Sequence, residues 1–336
     1  MFALLFGEDN MKLISSMGAL TLLAALSSAQ TLYSNDFDTD TTSNWNFFTN
    51  VTGDTAAQGD QGNAADFFFD YSTVGISAAP GSSTTRGLRL QANIIGTPNP
   101  TGTALYGASV SPLGLTLNGD YRLKFHAWQN YHGPLGAGGS GSTHVTMAGI
   151  GVSGTTIQVP GSAVNGTAFG MTGDGGSTVD YRVYNGSASV AATSTGFYAS
   201  GTAAGSNNSN NAYWTALYGG ASAPAAQLAL FPGQTGATSA GAAGFAWRSW
   251  EILKVGNTVT WFVDGNLHGT VTGAALPGNN IFFAQTDINA GSSTDNNSIA
   301  LQFGLIDNVQ VEAVPEPATM TVLGLAALAA LKRRKK

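Results

Sequence analysis

The chain has 336 residues, of which 43% are hydrophobic and 10% are charged, and it contains no cysteine. The lack of cysteine excludes disulfides, metal–thiolate sites and cysteine nucleophiles. Residues 30–313 carry seven basic and sixteen acidic side chains, a net charge of −9, so no basic stripe exists to neutralise the phosphates of a nucleic-acid partner.

Residues 1–29 have the pattern of a signal peptide. A basic start at Met11 is followed by an apolar run through Leu26, and small residues then lead to an expected cleavage site between Ala29 and Gln30. The acidic stretch before Met11 does not fit a signal peptide, so we expect the true start at Met11. A retained N-terminal transmembrane helix is the alternative. Either way, the export machinery is an expected partner.

Residues 30–313 are predicted to form one antiparallel β-sandwich or jelly roll. They are rich in Gly, Ser, Thr and Asn and almost lack Lys and Glu, which favours strands joined by many loops. The clearest strand is Tyr121–Trp128. Its Tyr, Leu, Phe and Ala share one face, and its Arg, Lys, His and Trp share the other. Other strands are expected at 31–37, 44–48, 65–71, 87–92, 144–152, 179–184, 281–284 and 301–311.

Residues 247–271 predict a β-meander with one buried face. Strands at 247–255, 258–263 and 267–271 are separated by Gly256-Asn257 and Asp264-Gly265. Both dipeptides supply the positive φ angles that tight hairpins need.

The meander and the last strand together suggest a fold family. The order Trp250-Glu251-Ile252, then Val259 to Gly265, then Ile306-Asp307-Asn308-Val309 resembles the concanavalin A-like lectin/glucanase, or laminin-G-like, sandwiches. The closing Ile-Asp-Asn-Val strand also occurs in galactose-binding-like jelly rolls. The topology therefore stays open between these two families.

The carboxylates of residues 30–313 do not form a recognisable glycosidase pair. Such enzymes usually need two carboxylates at a defined separation. The only two glutamates are Glu251 and Glu312, and the E-x-D-x-x-E pattern of the laminarinase-like relatives is absent. No G-x-S-x-G elbow is present either. We therefore expect no enzymatic activity, with a glycan-active hydrolase that uses aspartates as the alternative.

Two side chains are candidates for binding a sugar. Trp128 lies on the polar face of its strand, and Tyr131 follows just before a glycine-rich stretch. Exposed aromatic rings beside Asn and Asp are typical of carbohydrate sites. The alternative is that Trp128 packs against the second sheet or a covering loop.

Asp36, Asp38 and Asp307 are candidate ligands for a structural Ca²⁺ ion. Asp36 and Asp38 lie near the first strand and Asp307 lies in the last one, and terminal strands of such sandwiches often lie close together. Carboxylate oxygens are the ligands that Ca²⁺ prefers. The alternative is that Asp307 caps a turn.

The tail, residues 314–336, has three parts in fixed order. Prolines 315 and 317 fix φ and remove two backbone donors, so the first part should be a stiff, extended stalk. The uncharged run 318–331 predicts a helix of about 21 Å, which spans most of a hydrocarbon core of about 30 Å. The basic end favours the cytoplasmic side of a membrane. The stalk is Val314, Pro315, Glu316 and Pro317, and the basic end is Lys332, Arg333, Arg334, Lys335 and Lys336.

This tripartite tail resembles the PEP-CTERM sorting signal of exported bacterial proteins. The resemblance implies recognition at Pro315-Glu316-Pro317 by an exosortase-type processing enzyme, removal of the hydrophobic tail, and release to or retention at the cell surface. The same tail is also called an ice-binding-protein C-terminal domain. The threonines of this chain are aperiodic, however, and give no support for ice binding.

Together these features predict an exported, non-enzymatic protein of the bacterial cell surface or extracellular matrix. Its membrane contact would be the helix 318–331. The alternative is a lectin-like module that binds exopolysaccharide or another glycan.

Overall fold

The structure of the protein, a computed structural model, describes residues 29–51, 62–93, 106–132, 143–159, 164–177, 179–190, 196–201, 208–288 and 298–315. Three short α-helices lie within these ranges, α1 Ala212–Leu217, α2 Ala225–Leu230 and α3 Ser298–Leu301, together with 3-10 turns at Thr42–Asn44, Tyr71–Val74 and Asn208–Asn210. The strands are β1 Thr31–Asn35, β2 Trp45–Thr49, β3 Ala64–Asp70, β4 Arg86–Gln91, β5 Tyr106–Pro112, β6 Tyr121–Asn130, β7 His144–Val152, β8 Thr167–Met171, β9 Tyr181–Asn185, β10 Ala188–Val190, β11 Arg248–Val255, β12 Thr258–Val263, β13 Asn266–Thr272, β14 Asn280–Asp287 and β15 Phe303–Ala313.

The strands form two antiparallel sheets. Sheet 1 has the order β13-β12-β11-β6-β15-β4-β3, and β1 also pairs with β15. Sheet 2 has the order β10-β9-β8-β7-β14-β5-β2. The predicted antiparallel β-sandwich is confirmed.

The local sequence explains the meander of sheet 1. Strands β11, β12 and β13 pair in succession, as predicted, through turns at Gly256 and at Asp264-Gly265. All three turn residues have positive φ, at 55°, 51° and 75° respectively. Trp250 and Ile252 of β11 are buried, as period-2 alternation requires.

The core between the sheets is aromatic. Three ring pairs span it: Phe125–Phe283 at 5.0 Å, Phe169–Trp261 at 5.3 Å and Trp45–Phe67 at 5.6 Å between centroids. Burying one such side chain contributes about 1.5–3 kcal/mol. These contacts fix how the two sheets face each other.

The outer face of sheet 2 is covered by the chain itself. Val145, Met147 and Phe282 on this face are buried in a separate apolar cluster. The described part of the β7–β8 connection packs on this face at β5, where the Gln158 backbone amide donates to Ser109 Oγ at 2.9 Å. A Cβ at Gly107 would lie only 2.3 Å from Val159 Cγ1, so this connection packs directly on β5.

The outer face of sheet 1 has two halves. One half carries ion pairs, with Arg122 to Glu251 at 3.0 Å and Lys124 to Glu312 at 2.7 Å. The other half is apolar and lies beneath the segment 221–247. The solvent-exposed surface of the sandwich is therefore mainly the charged half of sheet 1 and the two ends of the sandwich.

Candidate functional site

The two ends of the domain meet on one strand pair. β1 pairs antiparallel with β15, with Thr31 opposite Glu312. The Ala313 amide donates to the Gln30 carbonyl at 2.8 Å. Ala29 and Gln30 are both exposed. The expected signal cleavage site therefore lies beside the residue that precedes the tail.

The tail leaves the sheet at a defined point. The Val314 amide donates to the Asp120 carbonyl at 3.0 Å, and Pro315 is exposed. Pro315 has no amide hydrogen with which to continue the ladder. The structure thus places the first two residues of the predicted stalk at the surface of the folded domain.

The rest of the sorting region lies outside the described residues. This applies to Glu316, Pro317, the expected helix 318–331 and the basic residues 332–336, and also to residues 1–28 of the expected signal peptide. Within the ranges that the structure describes, no helix has the length and apolar character to cross a membrane.

An open groove runs beside β1, which we call the β1 groove. Its volume is about 670 Å³. Ser34, Asp36, Thr39 and Asn44 in its wall are exposed, and Tyr33 is half-buried. Hydroxyl, amide and carboxylate groups thus dominate the wall. The other lining residues are Asn35, Thr41, Pro112, Leu113, Asn308, Val309 and Gln310.

The aromatic ring of the β1 groove is held by the core. Tyr33 packs edge-on against Trp45, with 6.3 Å between ring centroids. Burial raises the pKa of Tyr33 to about 12, so its phenol stays protonated and can donate a hydrogen bond. A rigid ring beside exposed polar groups is chemistry suited to a neutral polar ligand.

Trp128 and Tyr131, the expected sugar-stacking pair, are both only 5% exposed. Trp128 lies on the outer face of sheet 1, as its alternation predicts, but Trp247 packs on it at 5.8 Å. Phe245 packs on Tyr131 at 4.6 Å. The expectation that these rings are exposed is therefore wrong, because the segment before β11 folds across them.

The carboxylates expected to bind Ca²⁺ are occupied by protein donors. Asp307 is fully buried and accepts from Ser82 Oγ at 2.8 Å and from the Tyr71 hydroxyl at 3.1 Å. Asp38 accepts from Ser83 Oγ at 2.8 Å and from Thr84 Oγ1.

Asp36 instead lines the β1 groove and accepts from the Asp38 amide at 3.1 Å. Among the described residues, no three His, Asp or Glu side chains are grouped as metal ligands would be. The structure therefore does not support the expected Ca²⁺ site at Asp36, Asp38 and Asp307, because hydroxyl donors already satisfy two of the three carboxylates.

In the described strands of sheet 2, the outer face carries no pair of carboxylates. In its described strands, the residues that alternate away from the core are apolar, glycine or uncharged polar, apart from Arg182. Asp287 falls on the opposite, core-facing parity, and its carboxylate accepts from Asn93 Nδ2 at 2.6 Å.

The β1 groove is a site that the sequence pattern did not predict. Residues 34–44 contain an unbroken run of Ser, Asn, Asp and Thr around a single Phe37, which is a usable signal for a polar surface site. The sequence did not predict that Asn308 and Gln310 line the groove, because they reach it through the pairing of β15 with β1.

Comparison with known proteins identifies one part of the chain. Residues 313–336 match the PEP-CTERM protein-sorting motif. No curated protein was found to match the chain.

Several solved structures share its general architecture at low identity. The exoplasmic/lumenal domain of VIP36 in its Ca²⁺-bound form is 12% identical, with 85% of this chain and 90% of that chain covered and a TM-score of 0.39. A β-glucanase of Bacillus licheniformis is 10% identical, with coverages of 86% and 100% and a TM-score of 0.38. A chain from work on endo-acting O-glycanases of the human gut microbiota is 12% identical, with coverages of 85% and 100% and a TM-score of 0.42.

These TM-scores are all below 0.5, so the fold assignment rests on the strand order itself. The assignment of the sorting motif is supported by the match to the family model and by the position of Val314 and Pro315 directly after β15. The chain therefore carries a PEP-CTERM protein-sorting motif at residues 313–336, and that motif implies an exported, envelope-associated protein that an exosortase processes.

Proposed function

We propose that this protein is a non-enzymatic component of the cell surface or extracellular matrix. Its tail would hold the folded sandwich at the membrane until an exosortase cuts near Pro315-Glu316-Pro317. The observation that carries the proposal is the junction of Gln30, Ala313 and Val314, where the sorting motif begins directly at the end of a strand whose last residues are paired on both sides.

This junction suits processing of a folded substrate. Because β15 is paired with both β1 and β6 up to its last residues, the domain keeps its structure when the chain beyond it is cut. Pro315 is exposed and proline-flanked segments are extended, so a protease cleft could grip the backbone without unfolding β15.

Mass spectrometry of the mature protein from its host tests the processing. We expect a chain that starts at Gln30 and ends within residues 314–317. Replacing both Pro315 and Pro317 by Ala should leave the tail uncut, whereas Pro277→Ala, at an exposed proline outside the motif, should be processed normally. An exported chain that still ends in Lys336 would contradict processing.

The proposal that the protein is not an enzyme draws support from the covered outer face of sheet 2. Residues 158 and 159 of the β7–β8 connection pack on β5 at that face, and its described strands direct no carboxylate away from the core. The test is release of reducing ends from host exopolysaccharide and mucin-type glycans by the purified protein. Sustained multiple-turnover release would overturn this part of the proposal.

A second candidate function is carbohydrate binding in the β1 groove. The supporting observation is its wall of exposed hydroxyl, amide and carboxylate groups beside the fixed ring of Tyr33. A glycan ligand would hydrogen-bond to Asn44 and Gln310 and rest on the Tyr33 ring.

A glycan array, followed by titration of any hit, tests this second function. Asn44→Ala and Gln310→Ala should each weaken binding about tenfold, because each removes a hydrogen bond to a polar ligand worth about 1 kcal/mol or more. Asn210→Ala, an exposed amide remote from the groove, is the matched control. Binding that survives both groove variants would place any glycan site elsewhere.

A further inference from the structure

One end of the sandwich collects the residues around the tail, and we call it the tail-exit end. It comprises Gln30 and residues 113–120, 254–257, 273–280 and 313–315. Asp120 joins its parts: its carbonyl accepts from Val314 at 3.0 Å and its Oδ1 accepts from Gly256 at 2.7 Å. The β11–β12 hairpin is thus fixed next to the first residue of the tail.

The stalk between this end and the apolar run of the tail is short. Four residues separate Ala313, the last residue of β15, from Ala318, the first residue of the apolar run, so five Cα–Cα steps join the two. A fully extended chain of this length spans at most about 18 Å. If the apolar run is inserted in a bilayer, the tail-exit end is held within that distance of it.

Exposed apolar side chains are present at this end. The described part of the chain has five large hydrophobic residues that are exposed, and two of them, Leu113 at 61% and Val255 at 43%, belong to the tail-exit end. They lie at the tips of two connections, after β5 and at the end of β11. Apolar tips of this kind can enter the interfacial region of a membrane.

The charges of this end do not oppose contact with anionic lipids. Its only formally charged side chains are Asp120 and Lys254, which lie 3.7 Å apart. Signal cleavage would add the α-amino group of Gln30. Glu316 of the stalk offsets that positive charge, so the tail-exit end is close to neutral, although residues 30–313 as a whole carry a net charge of −9.

We propose that the tail-exit end lies on the surface of the phospholipid bilayer while the tail is uncut, with Leu113 and Val255 in the headgroup region. The opposite end of the sandwich then points away from the membrane. This inference rests on the proposed anchoring by the tail and adds a fixed orientation to it. Cutting the tail removes the constraint and frees the domain.

Because the chain has no cysteine, single-cysteine labelling gives a clean test. The chain from Gln30 to Lys336, the form expected after signal cleavage, is reconstituted into vesicles of phosphatidylethanolamine and phosphatidylglycerol that contain lipids with a headgroup quencher. A fluorophore is placed through Leu113→Cys or Val255→Cys. The matched control is Leu230→Cys, an apolar residue that is 55% exposed on α2.

The control lies towards the other end of the sandwich. Gln227 of the same helix donates to Asn130 Oδ1, at the end of β6 remote from Tyr121. The length of β6 separates these ends by about 30 Å. We expect strong quenching at positions 113 and 255 and little at position 230.

The outcomes separate the orientation from the anchoring. Flotation of the vesicles reports whether the tail anchors the chain at all, and a chain that does not float overturns the anchoring and the orientation with it. A chain that floats but is quenched equally at all three positions overturns the orientation alone. Quenching confined to positions 113 and 255 supports it.

Discussion

Asp307 is a buried carboxyl in the strand that leads to the tail. Burial raises the pKa of Asp307 to about 6, because the loss of hydration outweighs the hydrogen bonds from Ser82 and the Asn308 amide. The folded state therefore binds this proton more tightly than the unfolded chain does. The resulting stabilisation is complete below the unfolded pKa of 3.8 and is lost as the pH rises through about 6.

We expect Asp307→Asn to remove this dependence. Compared with the parent protein, the free energy of unfolding of the variant should gain on the order of 2 kcal/mol between about pH 4 and pH 7. Urea denaturation at several pH values measures the difference between the two proteins. Burial lowers the pKa of His268 to about 3, so the stability that neutral His268 contributes is lost as the pH falls. This effect is opposite to that of Asp307, and it cancels when the variant is compared with the parent at each pH.

Asp40→Asn is the control for this pH series. Asp40 is exposed, and hydrogen bonds from Thr42 lower its pKa, so its contribution is present at neutral pH and is lost as the pH falls. The free energy of unfolding of Asp40→Asn relative to the parent should therefore fall as the pH rises, whereas that of Asp307→Asn rises. A difference for Asp307→Asn that stays constant across the range would contradict the assignment.

At the scale of elements, β15 changes neighbours along its length. It pairs with β4 at residues 304–306 and with β1 at residues 309–312. Between them, Asn308 has a φ of 53°, and its side chain donates to Ser82 Oγ at 2.7 Å and to the Pro80 carbonyl at 3.2 Å. The change of partner therefore depends on one left-handed residue held by two hydrogen bonds.

Substitutions at Asn308 should separate backbone strain from the lost hydrogen bonds. Asn308→Gly removes the bonds but suits a positive φ, and we expect a cost of about 1 kcal/mol. Asn308→Val adds a left-handed β-branched residue and should cost about 1–2 kcal/mol more. Chemical denaturation measures both variants, and equal stability of the two would show that the backbone conformation is not the constraint.

At the scale of the whole molecule, the meeting of β1 and β15 brings residues far apart in sequence side by side. Thr31 and Glu312 are direct partners in the ladder. Antiparallel partners have Cα atoms about 4.5–5.5 Å apart. A link of a few residues can therefore join residue 313 to residue 30.

We expect a circular permutant with a Gly-Ser link from residue 313 to residue 30, and new ends at Gly256-Asn257, to fold. Its far-UV circular dichroism should match that of the parent domain, and its melting should be cooperative, since no strand is broken. The control has new ends between Lys124 and Phe125, inside the central strand β6, and should not fold. Failure of the first permutant with correct folding of the second would contradict the observed pairing.

Much of the fold could be predicted from the sequence. The alternation in Tyr121–Trp128 and the positive-φ turns of the meander are local features, and the structure confirms both. Whether Trp128 is exposed could not be predicted from local sequence. Its face is polar in the strand pattern, but Trp247, more than a hundred residues later, covers it.

The β1 groove, the candidate site, could likewise be predicted only in part from the sequence. Its first wall, residues 33–44, is a continuous polar segment that the sequence displays. Its second wall is provided by residues 308–310, which reach it through the pairing of β1 with β15, and by Pro112 and Leu113, which reach it through the pairing of β2 with β5. Sequence periodicity specifies which residues share a face, but not which distant segment lies beside that face.

The sequence by itself determined the sorting motif, the absence of cysteine chemistry and the class of fold. These depend on composition, short motifs and periods of a few residues, which are written along the chain. The tertiary structure decided that the outer face of sheet 2 is covered, that Asp307 is satisfied by hydroxyl donors, and that the tail leaves beside Gln30. The physical reason is that burial and strand pairing are long-range contacts, set by how the whole chain packs.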